Sequence, residues 1–106
     1  MKNVNKWDIQ DYLKTPEDIA HYLEAAFEDG SREIIATAIG DVVRAKGMVD
    51  IANKAGLTRE GLYKPLSKNG DPKLSTLLSV LKALDLHLYC RPREKNLGMK
   101  MLRQDK

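Results

Sequence analysis

Apolar residues recur along this chain at helical spacing, in a series of stripes separated by glycines and polar turns. In "KTPEDIAHYLEAAFEDGS" the positions Ile19, Tyr22, Leu23, Ala26 and Phe27 follow the i, i+3, i+4, i+7, i+8 order of one buried helical face. Thr15 precedes them as a cap and Pro16 suits the first helical position. Glu17 and Asp18 favour the positive end of the helix dipole, and Gly30 closes the helix. Ser31 opens the next run, "SREIIATAIGDVVRAKGM", with Ile35, Ala38, Ile39 and Val42 on one side and Gly47 at its end. Gly40, inside it, costs about 1 kcal/mol relative to Ala, which points to another helix approaching closely there. "MVDIANKAG" predicts a short helix with Val49, Ile51, Ala52 and Ala55 as its apolar content. Thr58 caps the next, in "REGLYKPL", and "SKNGDP" is a turn by composition. "KLSTLLSVLKALD" has the cleanest stripe, Leu74, Leu77, Leu78, Leu81 and Leu84.

The period then changes. "LHLYCRP" alternates Leu86, Leu88 and Cys90 against His87, Tyr89 and Arg91, which predicts one short strand. A single strand is not stable alone, and the chain offers no second. It is therefore expected to pair across a twofold axis, giving a homodimer with Leu86, Leu88 and Tyr89 at the contact. The expected fold class is all-α: a helical bundle with an extra N-terminal helix and one short C-terminal β-strand.

Charge divides the chain. Residues 1–47 carry six Lys/Arg against nine Asp/Glu, residues 48–90 six against four, and residues 91–106 six against two. An acidic front half precedes a basic back half, as for a chain with a basic partner at one end and an acidic one at the other, although two solvated faces would look the same. No run of apolar residues is long enough to span a membrane. The N-terminus "MKNVNKWDIQDYL" lacks an apolar run followed by small residues, so no secretory signal is expected. Cys90 is the only cysteine, which excludes an intramolecular disulfide and fits a reducing cytoplasm.

Residues 48–66, "MVDIANKAGLTREGLYKPL", have the joint pattern of two short helices meeting at a tight corner. Ala52 is small where the second helix crosses the first. Gly56 tolerates positive φ, Leu57 plugs the corner, Thr58 caps the second helix, and Leu62 and Leu66 face inward. In a helix-turn-helix the second helix presents its N-terminal side chains to base edges. "DIANKAGLTREGLYKPLSKNGDPKLSTLLSVLKALDLHL" resembles the Xre, or lambda-repressor-like, helix-turn-helix domains, over roughly residues 31–86. The stretches "WDIQDYLKTPEDIAHYLEAAFEDG", "AIGDVVRAKGM", "GLTREGLYKPLSKNGDP" and "LLSVLKALDLHL" make the chain similar to the addiction-module antidote proteins, HigA-type antitoxins, over about residues 7–90.

That resemblance implies a type II antitoxin that neutralises a small basic ribonuclease toxin of the RelE/HigB type. It also implies repression of its own operon through double-stranded operator DNA. Arg59, Glu60 and Lys64 fall where such domains read bases. Arg can pair bidentately with guanine, and Glu can accept from cytosine. Ser67, Lys68 and Asn69 resemble the phosphate-contacting loop. Tyr63 is either a phosphate contact or a packed aromatic, and Lys73 can hold a phosphate with the backbone N–H groups beside it. Pro65 departs from the family pattern. It is expected to end or kink the recognition helix and to push Lys64 out of helical angles.

The chain accordingly divides into residues 1–30, an arm and helix for toxin contact; 31–91, the DNA-binding domain with its dimerisation strand; and 92–106, a basic tail. Trp7, Tyr12, Leu13 and Tyr22 are the candidate toxin contacts, because aromatic anchors in an acidic segment suit a basic protein; packing on the chain's own core is the alternative for Trp7, Tyr12 and Leu13. His87 and Cys90 stand three apart, on opposite sides of a strand, and too few ligands accompany them for a metal site. No metal, cofactor or enzymatic activity is expected. A stand-alone prophage-type repressor, and an interaction module that has lost DNA binding, remain open beside the antitoxin reading.

Overall fold

The structure, a computed structural model, describes residues 11–92. Trp7 and residues 93–106 of the basic tail lie outside them. Five helices follow one another among the described residues: α1 (Pro16–Asp29), α2 (Arg32–Lys46), α3 (Met48–Ala55), α4 (Arg59–Tyr63) and α5 (Leu74–Ala83). Asp11 and Tyr12 are also helical.

The termini form by the capping chemistry the sequence announces. The Thr15 hydroxyl accepts from the Asp18 N–H at 3.1 Å, while the Asp18 carboxylate accepts from the N–H groups of Thr15 at 3.1 Å and Lys14 at 3.2 Å. Thr15 and Asp18 thus satisfy each other's otherwise orphaned N–H groups reciprocally, and Asp18 also satisfies that of Lys14. Ser31 accepts from the Ile34 N–H and opens α2. Gly56 closes α3 in the left-handed region, φ 73°, and the Leu57 N–H then reaches back to the Ala52 carbonyl at 2.8 Å. The same closure ends α5 with an aspartate in the glycine's place. Asp85 sits at φ 64°, its N–H donates to the Lys82 carbonyl, and the Leu86 N–H donates to Leu81 at 2.8 Å.

α2 is the centre of the molecule. It packs against α1 on one side and α3 on the other, α3 against α4, and α5 back onto α3. Ala36, Ala38, Ile39, Gly40, Val42 and Val43 of α2 are buried, a wider face than its expected stripe, because two helices cover it. Ile19, Leu23 and Ala26 of α1 meet it, and Leu62, Leu66, Val80, Leu81 and Leu84 close the core from the other end. No polar or charged residue is buried among the described residues.

Several expectations change. Val49 is exposed, 58%, because two residues carry it about 200° around α3 from buried Ile51. In α5 the apolar arc is wider than the face that α3 covers. Val80, Leu81 and Leu84 go inward, leaving Leu74 65% and Leu78 45% exposed. What approaches Gly40 is a carbonyl, that of Leu66, and not a helix. A Cβ at Gly40 would collide with it. Residues 86–91, expected as a strand, carry no ladder in the described chain. They turn off α5 at Asp85 and pass beside α1, where Arg91 pairs with Glu24 at 3.5 Å. The alternation survives in the side chains, since the rings of His87 and Tyr89 come within 6.4 Å of each other. Backbone pairing, which makes a strand, needs a neighbour that this chain does not supply here.

Candidate nucleic-acid interface

The corner between α3 and α4 positions the candidate site. Thr58 accepts from the Gly61 N–H at 2.9 Å and so starts α4 sharply. Leu62 and Leu66 are both 0% exposed and pin the helix to the core. With those two inward, Arg59, Glu60, Tyr63 and Lys64 are left on the exposed side. Pro65 has no N–H to donate, and α4 stops at Tyr63. Lys64 nevertheless keeps helical angles, φ −62° and ψ −50°, contrary to the expected push out of the helix. The proline therefore shortens the helix without turning Lys64 away from the face that it shares with Arg59 and Glu60.

The loop that follows is knitted to the end of α4. The Lys64 carbonyl accepts from the Ser67 hydroxyl at 2.8 Å and from the Ser67 N–H at 3.3 Å. Both donors of Ser67 are thus engaged inside the turn, and a phosphate contact from Ser67 would have to open it. Lys68, Asn69 and Lys73 are exposed. Arg32 of α2 steadies the loop from behind by donating to the Gly70 carbonyl at 2.7 Å. Lys73 stands at the N-cap of α5 without capping it, so the first backbone N–H groups of α5 have no side-chain acceptor.

Electrostatics separates this region from the rest. Lys14, Arg32, Arg44, Lys54 and Arg91 each have a carboxylate within 4.0 Å. Arg59, Lys64, Lys68 and Lys73 have none among the described residues, so four of the unpaired cations fall within one fifteen-residue stretch. Glu60 and Asp71 are the acidic groups in it. On α1 the balance is reversed. Glu17, Glu24, Glu28 and Asp29 are exposed, with Arg91 answering Glu24.

Among the described residues, the expected toxin contacts do not form one patch. Leu13 is 1% exposed and belongs to the chain's own core, while Tyr12 is 58% exposed. Tyr22 is half-buried, and its hydroxyl donates inward to the Asp41 carboxylate at 3.4 Å. Burial, and then the Asp41 charge, push the Tyr22 phenol above its ordinary pKa. Of the expected dimer contacts, Leu86 is partly buried against the core, whereas Leu88 and Tyr89 are exposed. Arg44 and Asp41 were not singled out from the sequence. Arg44 lies with its guanidinium 5.5 Å from the Tyr63 ring centre and 3.5 Å from the Leu66 carbonyl. The available signal was Gly40 and Arg44 at i, i+4, one face on which the small residue leaves room for the long one.

Among the described residues no helix is long and apolar enough to cross a membrane, and no three His, Cys, Asp or Glu side chains gather as a metal would need. The described residues are mostly helical and contain no strand, with an acidic α1 and a cationic corner. The chain belongs to the family described as probable addiction module antidote protein, whose model matches residues 3–92. An uncharacterised protein of Haemophilus influenzae (strain Rd) is 40% identical to it over 85 residues, which cover 80% of this chain and 88% of that protein. No solved structure matches it. An antidote family implies a toxin as the partner.

Proposed function

We propose that this antidote is a HigA-type antitoxin with two binding faces. The α3–α4 corner is a lambda-repressor-like helix-turn-helix that binds operator DNA and represses the chain's own operon. The acidic α1 side, with Tyr12 and the ring of Tyr22, engages a small basic ribonuclease toxin of the RelE/HigB type in the cytoplasm. The observation that carries the DNA reading is the run of unpaired cations over residues 59–73, held on the outside of a corner whose inner face is fixed by Leu62 and Leu66. Arg59, Glu60 and Lys64 are the base readers. Tyr63, Lys68, Asn69 and Lys73 serve the phosphates. Two copies paired through Leu88 and Tyr89 would set two recognition helices about one turn of DNA apart.

A salt titration of binding to the DNA just upstream of the gene tests this. Specific binding should weaken steeply with salt, because each neutralised phosphate releases counterions. Arg59→Ala should cost about 1–3 kcal/mol and relax sequence preference, while Lys68→Ala should lower the salt slope by about one and leave the sequence preference unchanged. Failure of the folded wild type to prefer that DNA at any salt would refute the repressor reading and leave the acidic face of α1 as the working surface.

A further inference from the structure

We infer that Arg44, on α2, is the positioning residue of the reading face: it caps the Leu66 carbonyl in the turn that follows α4 and holds Tyr63 in place. The inference rests on the DNA reading for its functional meaning, but its geometry is independent of DNA. Four contacts converge on this guanidinium or its partner. One nitrogen donates to the Leu66 carbonyl at 3.5 Å, another donates to Asp41 at 3.4 Å, and the cation lies 5.5 Å from the centre of the Tyr63 ring. Asp41 is held in turn by the Tyr22 hydroxyl of α1 at 3.4 Å.

The reason for such a clamp lies in the chain itself. A helix continuing past Tyr63 would satisfy its carbonyls with backbone N–H groups one turn later. The chain turns instead: the Gly70 N–H, which would serve the Leu66 carbonyl in a continuing helix, donates to the Ser67 carbonyl at 2.9 Å, and Leu66 is drawn fully into the core with its carbonyl beside α2. A carbonyl in that position needs a donor. No backbone N–H among the described residues supplies one, and Arg44 does. Gly40, one turn before Arg44 on the same face, provides the space, since a side chain there would occupy the carbonyl's place. Gly40 and Arg44 on α2 and the turn that follows α4 thus form one device. Its output is the exposed Tyr63 ring and the direction of the loop that begins at Ser67. Arginine suits the task because its planar fork can serve a carbonyl and a carboxylate while its flat face meets a ring, which a lysine cannot do.

The test uses the full chain as wild type, Arg44→Met, Arg44→Lys and Tyr63→Leu, and the Arg44→Met/Tyr63→Leu double variant, each checked for helix content. Without DNA, nuclear magnetic resonance should show Arg44→Met moving the Tyr63 ring signals and the amides of Ser67 to Gly70. Unmoved signals would overturn the inference, whether or not the protein binds DNA. With upstream DNA, Arg44→Met and Arg44→Lys should both weaken specific binding roughly threefold to tenfold at an unchanged salt slope. Arg44→Met should add little once Tyr63 is Leu. Full rescue by Arg44→Lys, together with a lower slope for Arg44→Met, would make Arg44 a phosphate contact and overturn the positioning role. Absence of specific binding by the wild type would remove the DNA reading alone, and the DNA-free spectra would still decide whether Arg44 sets the turn.

Discussion

Gly40 and Asp85 show how single side chains are decided by backbone sterics in this molecule, with opposite outcomes. At Gly40, alanine is the better helix former by about 1 kcal/mol. Its methyl group would nevertheless collide with the Leu66 carbonyl at the point where α4 is anchored. Overpacking of this kind typically costs about 1–3 kcal/mol, so Gly40→Ala is expected to destabilise in urea unfolding despite the gain in propensity. At Asp85 the native residue carries the strain. A left-handed conformation costs a non-glycine residue about 1–2 kcal/mol, and glycine gives back about half of that in chain entropy. Asp85→Gly should therefore stabilise by about 0.5–1 kcal/mol, read as a raised unfolding midpoint. A fall would mean that the Asp85 side chain has a role beyond the turn.

At the level of elements, α1 is the best-defined helix, and its N-terminus gives it a pH dependence. The hydrogen bond from the Thr15 backbone is the largest of the influences that hold the Asp18 carboxyl below its ordinary value of 3.8. A carboxylate favoured in the folded state contributes stability above its unfolded pKa and loses it as pH falls through the folded one. The gap in melting temperature between wild type and Asp18→Asn should be full at about pH 5 and close on acidification below the ordinary value. A gap that widened in acid would contradict the capping box. This helix was legible to the residue because its signals are local: cap, proline, acidic first turn, stripe and glycine. The face of α5 was not, because its leucines span more of the helix than α3 covers, and packing alone selects Val80 over Leu74 and Leu78. The segment 86–91 shows a further limit. Alternation records which side a side chain takes, not whether another backbone lies beside it.

Across the whole molecule, the core is apolar throughout the described residues, and charge is sorted on its surface, acidic along α1 and cationic around the α3–α4 corner. That sorting was legible in the sequence, and so was the corner, through Ala52, Gly56, Leu57, Thr58 and Leu62. The guanidinium behind the corner was not, because Arg44 meets Tyr63 and Leu66 across 19 and 22 residues of chain, and no local pattern reports such a meeting. The order of packing has a further consequence. α1 rests on α2, α2 on α3, α3 on α4, and α5 reaches back past α4 to α3. Each of these unions closes a short loop, so little chain entropy is lost before contacts form, and such topologies fold in microseconds to milliseconds. Stopped-flow refolding should show a single phase at or beyond the dead time of the instrument. A newly synthesised or newly released copy would then reach its binding-competent shape long before diffusion brings it a partner at cellular concentrations.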